Sequence, residues 1–155
     1  MRDRLIKFFA TGFGVGLFPV APGTVGSIVG VAYWCGLNHV RSPWLAGLVL
    51  FLSILFAVWC AGEAAEIMHH PDPSSVVIDE IVAMPIVLIG LGAHWWHVVV
   101  GFAMFRLFDI WKPTPCREAQ NFTGGIGIVL DDLLAAIYAC AATHGIVWLV
   151  SLMRR

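Results

Sequence analysis

IVAMPIVLIGLGAHWWHVVVGFAMF, Ile81–Phe105, is long and apolar enough to cross a bilayer once, and whether it does so decides the fold. A hydrocarbon core about 30 Å thick takes roughly 20 helical residues. Midway, however, Gly90 and Gly92 break the helical pattern, and His94 and His97 place polar rings where a single span would have its centre. Trp95 and Trp96 lie beside them, and such amphipathic rings favour an interface. The stretch therefore reads as a hairpin with arms over Ile81–Leu91 and Trp95–Trp111. Pro85 falls in the first arm, where neighbouring helices can satisfy the carbonyl it frees, and Pro113 ends the second.

The remaining sequence sets the hairpin in a membrane. The chain has 155 residues, 59% hydrophobic and 12% charged, with a mean hydropathy of +0.86; a soluble domain averages about a quarter charged residues. Trp44–Gly62 is uncharged, and Leu133–Met153 is uncharged apart from His144. Gly23–Val40 is uncharged as well, with Gly26 and Gly30 spaced for close approach of another helix. The net charge of −1 gives no basic excess for nucleic acid. The length fits one domain, 1–155. Cys35, Cys60, Cys116 and Cys140 form no CxxC pair, so neither disulfides nor a zinc site are expected. The start faintly resembles a signal peptide, but Gly12, Gly14, Gly16 and Pro19 interrupt its apolar stretch and Asp3 sits in its basic end.

If Gly23–Val40 crosses, Trp44–Gly62 returns, Ile81–Trp111 enters and leaves on one side, and Leu133–Met153 crosses last, all acids share a side. These are Asp3, Glu63, Glu66, Asp72, Asp79, Glu80, Asp109, Glu118, Asp131 and Asp132. A single span through Ile81–Phe105 would instead separate Asp79 and Glu80 from Asp109, Asp131 and Asp132 by the bilayer thickness. The acidic side also holds Arg2, Arg4, Lys7, Arg106, Lys112 and Arg117, against Arg41, Arg154 and Arg155 opposite. That excess favours a cytoplasmic site. The fold expected is all-α: a polytopic membrane helical bundle with an apolar hairpin and a site at one membrane face.

Acids at a membrane edge are costly, and one pair at a helix start can be explained by the helix dipole alone. Asp79-Glu80 and Asp131-Asp132 each precede an apolar run, and Asp109 joins them through the topology. Five gathered carboxylates suit a hard cation, because Mg²⁺ prefers oxygen ligands and keeps room for water and phosphate. Arg106, Asp109 and Lys112 follow at i+3 spacing on one helical face, as a salt-bridged ladder or a phosphate grip. Gly23, Thr24, Gly26 and Ser27, and likewise Gly124, Gly125 and Gly127, precede helices whose N-terminal amides could receive phosphate or whose glycines could simply pack. Glu66 with His69 or His70, and His94 with His97, have metal-like spacing; the first set falls in a loop and the second at the far turn.

Four segments in order, FPVAPGTVGS (Phe18–Ser27), VVIDE (Val76–Glu80), FRLFDIWKP (Phe105–Pro113) and GGIGIVLDD (Gly124–Asp132), resemble the phosphatidylglycerophosphatase A family over about Gly12–Tyr138. The resemblance implies a bacterial inner-membrane, Mg²⁺-dependent phosphatase converting phosphatidylglycerophosphate to phosphatidylglycerol and phosphate. It carries the family's carboxylates and basic residue onto Asp79, Glu80, Asp109, Lys112, Asp131 and Asp132, with Asp72 matching an acidic position upstream. The chain departs from the pattern at Ala83 and Ala136, where glycine is common.

On this reading Asp79, Glu80, Asp109, Asp131 and Asp132 supply the metal ligands and the water-activating base, while Arg106 and Lys112 grip phosphate with help from Thr24, Gly124 and Gly125. No Cys-x5-Arg phosphatase motif exists, since Cys116 is followed at the arginine position by Phe122. Direct attack by water is preferred over a covalent intermediate. A small divalent-cation or proton transporter and a non-catalytic assembly subunit are the rival readings; the one-sided acids count against the first.

Overall fold

The computed structural model describes residues 1–154, so Arg155, which entered the charge count, lies outside the described residues. Among those residues the fold is all-helical, with seven α-helices and one short 3₁₀ turn, Val15–Leu17. They are α1 (Arg2–Ala10), α2 (Pro22–Asn38), α3 (Pro43–Met68), α4 (Ile78–Val87), α5 (Trp95–Trp111), α6 (Cys116–Ala119) and α7 (Gly125–Met153).

Two helices, α3 and α7, are long and apolar enough to cross a membrane, with 26 and 29 residues. Only 17% and 22% of their most apolar stretches are buried inside the protein, unlike the core helix of a soluble domain. Trp44, Leu48, Phe51, Leu52, Leu55 and Trp59 leave one side of α3 uncovered. Such a continuous apolar surface needs a partner or a lipid. The helix α2 has 17 residues, about 25 Å at the usual rise, and falls just short of the other two.

Several boundaries differ from the sequence reading: α4 runs Ile78–Val87 rather than Ile81–Leu91, which places Asp79 and Glu80 inside the helix instead of ahead of it. α3 runs on past Gly62 to Met68, carrying Glu63 and Glu66 on its last turns. α7 begins at Gly125 rather than Leu133, which puts Asp131 and Asp132 in its second turn instead of ahead of it. The α7 shift follows from packing. A side chain at Gly125 would strike the Val58 carbonyl on α3, and one at Gly127 would strike the Phe122 carbonyl, so these glycines let α7 extend its first turns against its neighbours.

α4 is short and central. It touches α2, α3, α5 and α7, and Ala83, Met84, Val87 and the following Leu88 are completely buried. Gly30 on α2 lies against Met84, close enough that a methyl there would clash. Pro85 sits inside α4, which ends two residues later at Val87. The chain then reverses. Leu88 lies against Gly101 of α5, and Arg106 further along α5 returns to Glu80 at the start of α4. Imidazoles tie the reversal down: His97 Nδ1 lies 3.0 Å from the Gly92 carbonyl, and His144 Nε2 on α7 lies 3.0 Å from the Ile89 carbonyl.

Candidate active site

The same packing brings the N-terminal ends of α2, α4 and α7 together with the C-terminal end of α5. Ile78 opens α4, so Asp79 and Glu80 occupy its first turn, where backbone amides favour negative charge. Asp131 and Asp132 lie too far into α7 for that effect, which fades within one turn. The helix-end explanation therefore fails for the second pair.

Asp79, Glu80 and Asp132 each turn one carboxylate oxygen toward a common point, with all three within 4.8 Å of one another. Asp79 and Asp132 are 7% and 4% exposed, and the Glu80 side chain 12%. Asp79 Oδ1, Glu80 Oε2 and Asp132 Oδ2 are buried without a hydrogen-bond partner. Buried acceptors left unpartnered cost on the order of 1–3 kcal/mol each, and here one belongs to each acid of the cluster. A hard cation bound by oxygen is the group that such a cluster fits.

The other two acids have different surroundings. Asp109 Oδ2 forms an ion pair with Arg106 Nη1 at 2.8 Å, and its Oδ1 lies 4.0 Å from Lys112 Nζ. Asp131 Oδ2 is paired with Lys112 Nζ and accepts from Gln120 Nε2 at 3.0 Å, while its Oδ1 accepts from the Asp132 backbone N–H at 3.0 Å. The sequence reading made ion ligands of all five acids. The geometry gathers three, while Asp109 is ion-paired with Arg106 and Asp131 with Lys112.

Arg106 is the hub on the α5 side. Besides Asp109, its Nη1 lies 3.9 Å from Glu80 Oε1 and 3.4 Å from Ser27 Oγ on α2, to which it donates. Its Nε is buried and unpartnered. Lys112 caps α5 in the left-handed region with φ 47°, which swings its side chain off the ladder with Arg106 and Asp109 toward α7. Burial works against the Lys112 charge, but the hydrogen bond to Asp131 and the nearby Asp132 and Asp109 carboxylates outweigh it, raising its pKa above the ordinary lysine value. Lys112 is an ammonium throughout the neutral range.

The glycine-rich segments divide. Gly23 backs directly onto Glu80: a β-carbon there would overlap the Glu80 Oε1 and come within 3.2 Å of Arg106 Nη1. Thr24 lies next to it, half-buried, in the first turn of α2. Gly124 is exposed at the start of α7 with φ 70°. Gly125, expected beside a phosphate, is buried against α3 and serves packing instead. Gln120 was missed by the sequence reading, and its separation from Asp131 across a loop offers no spacing by which to find it.

A cavity of about 790 Å³ opens between the end of α3 and the start of α7. Glu66, His70, Asp72, Gln120, Gly124 and Asp131 form part of its wall. Glu66, His69, His70 and Asp72 thus share a wall that includes Asp131 but none of the three converging carboxylates.

Residues 8–147 match the family model described as Phosphatidylglycerophosphatase A. A phosphatidylglycerophosphatase A of Escherichia coli is 38% identical over 138 residues, covering 87% of this chain and 79% of that protein. One of Haemophilus influenzae is 36% identical over 143 residues, covering 91% and 88%. A Bacteroides thetaiotaomicron protein provisionally named a phosphatidylinositol-3-phosphatase is 37% identical over 136 residues, covering 83% and 85%. No solved structure matches the chain at a significant level.

Proposed function

Because the chain belongs to the phosphatidylglycerophosphatase A family, we infer that it hydrolyses phosphatidylglycerophosphate to phosphatidylglycerol and inorganic phosphate, and we propose that Mg²⁺ held by Asp79, Glu80 and Asp132 supports the reaction. The observation that carries the metal assignment is the meeting of three buried acids, each of which also has a carboxylate oxygen without a hydrogen-bond partner.

When bound, the ion supplies positive charge against the phosphoryl oxygens, on which the negative charge of a phosphomonoester transition state is spread. The chain's own cations complete that field. Lys112 presents a permanent ammonium, and Arg106, oriented by Asp109 and Ser27, keeps its Nε as a free donor. Asp109, between these two cations, steers both toward the same point rather than binding the ion.

The placement suits a lipid substrate. We propose that α2, α3 and α7 span the inner membrane, that α4 and α5 form a re-entrant hairpin, and that the acid-bearing end faces the cytoplasm, where basic residues are more numerous. A head group then reaches the carboxylates laterally while its acyl chains remain beside the uncovered apolar helices.

The deciding experiment is phosphate release from phosphatidylglycerophosphate in detergent micelles, with EDTA and Mg²⁺ add-back, for wild type and for Asp79→Ala and Asp132→Ala. Loss in EDTA, recovery with Mg²⁺ and inactive variants are expected. Full activity in both variants rejects the ion site. Phosphatidylinositol 3-phosphate run in parallel tests the head group named for the Bacteroides relative, and faster turnover of that lipid would reassign the substrate.

A further inference from the structure

Adjacent acids Asp131 and Asp132 differ in one respect that the family resemblance does not resolve. Asp132 Oδ2 is buried and unpartnered, and Asp132 belongs to the converging trio. Asp131 does not belong to it, and both of its oxygens already accept. Binding an ion through Asp131 Oδ2 would require Lys112 or Gln120 to be displaced first, and Oδ1 already accepts from a backbone N–H.

What Asp131 holds is informative. Lys112 is the residue after the last turn of α5, in a left-handed cap, and its backbone N–H returns to the Phe108 carbonyl at 2.8 Å. Its four-carbon stem has no helix beyond it to lean on, and a lysine head is a point charge with no intrinsic direction. Three groups set its direction: Asp131 by a direct ion pair, Gln120 by sharing the same Asp131 oxygen, and Asp109 at 4.0 Å. Asp131 and Gln120 also form part of the wall of the 790 Å³ cavity, which Lys112 itself does not line.

Resting on the reading above, in which Lys112 binds the substrate phosphate, we propose that Asp131 and Gln120 are positioning residues that aim the Lys112 ammonium, and that Asp131 is not a ligand of the ion. Gln120 fixes the carboxylate and the carboxylate fixes the lysine. An aimed ammonium meets phosphate without first giving up rotamer freedom, so the arrangement acts on substrate binding more than on the chemical step.

The test uses the full chain in detergent micelles, with Mn²⁺ binding followed by electron paramagnetic resonance alongside kinetics on phosphatidylglycerophosphate. Asp131→Asn should leave Mn²⁺ affinity within about twofold of wild type and raise KM about tenfold, whereas Asp132→Asn weakens Mn²⁺ more than tenfold. Gln120 is exposed, so Gln120→Ala keeps the fold; it should raise KM about threefold with Mn²⁺ affinity unchanged. In a Lys112→Gln background neither substitution should have a further effect, because both act through that lysine. Mn²⁺ loss in Asp131→Asn equal to that in Asp132→Asn overturns the proposal. So do losses of the same size with and without Lys112. A wild-type protein that binds Mn²⁺ but releases no phosphate would refute the reaction instead, and the Mn²⁺ comparison would still decide whether Asp131 is a ligand.

Discussion

The first turn of α4 and the second turn of α7 carry near-identical acidic pairs, Asp79-Glu80 and Asp131-Asp132, each running into apolar helix. Their surroundings separate them. On α4 both carboxylates face the converging point, backed by Gly23 and flanked by Arg106. On α7 successive residues are turned by about 100°, so one acid joins the point and its neighbour meets Lys112 and Gln120. Adjacency in sequence therefore does not assign a shared role. The cations supplied by neighbouring helices do.

The largest test of this contrast is Asp132→Asn. It removes the only α7 carboxylate in the trio, and a loss of phosphatase activity of about a thousandfold is expected, in the range seen when a charge-stabilising group is removed. The same variant should lose metal-dependent stabilisation. Wild type should melt higher in Mg²⁺ than in EDTA, by about 2.7 kcal/mol at a hundredfold excess over Kd, and the variant should not. In EDTA the variant should melt no lower than wild type, since one of three crowded, unneutralised carboxylates has gone. A variant that still responds to Mg²⁺ would put the ion elsewhere.

Gly23→Ala probes the α4 pair without touching a charge. The atom in the way is the far end of the Glu80 side chain, which can move, so the fold should survive while the carboxylate is displaced. An activity loss of about tenfold to a hundredfold, with little change in melting temperature, is expected from a misplacement on the order of 1 Å. Gly125→Ala is the matching control at the head of α7. There the obstacle is the backbone carbonyl of Val58, which cannot yield, and stability rather than activity should fall first, by about 1–3 kcal/mol. If both variants behave alike, Gly23 is a packing glycine and not the wall of the site.

These glycines also mark the limit of what the sequence discloses. The break between α4 and α5 was legible because Gly90, Gly92 and the two histidines interrupt an apolar run, and Glu80 and Arg106 on either side of it meet. The start of α7 was not legible. Gly124, Gly125 and Gly127 have the composition of a loop, and only the carbonyls of Val58 and Phe122 lying against two of them turn those positions into helix. The division of labour between Asp131 and Asp132 was hidden for the same reason. It depends on Gln120 and on the left-handed cap at Lys112, neither of which has a local signature.

The smallest effect comes from placing glycine at Ala83 on α4 and Ala136 on α7, where the family resemblance leads one to expect it. Both side chains are fully buried in the cluster joining the two helices. Each Ala→Gly change loses about 1 kcal/mol of helix propensity and a buried methyl worth about as much again, so each variant should be less stable by about 1–2 kcal/mol with activity within about twofold. The double variant shows whether the helices can move. If the costs add, α4 and α7 keep their spacing, and the ion-facing pair stays fixed relative to Asp132. If the double variant costs less than the sum, the helices have closed the gap, and Mn²⁺ affinity should change with them, because three carboxylates from two helices can share one ion only at one separation. A sub-additive stability with unchanged Mn²⁺ affinity would mean that the site does not depend on the packing of α4 against α7, and the contrast between the two acidic pairs would then need another cause.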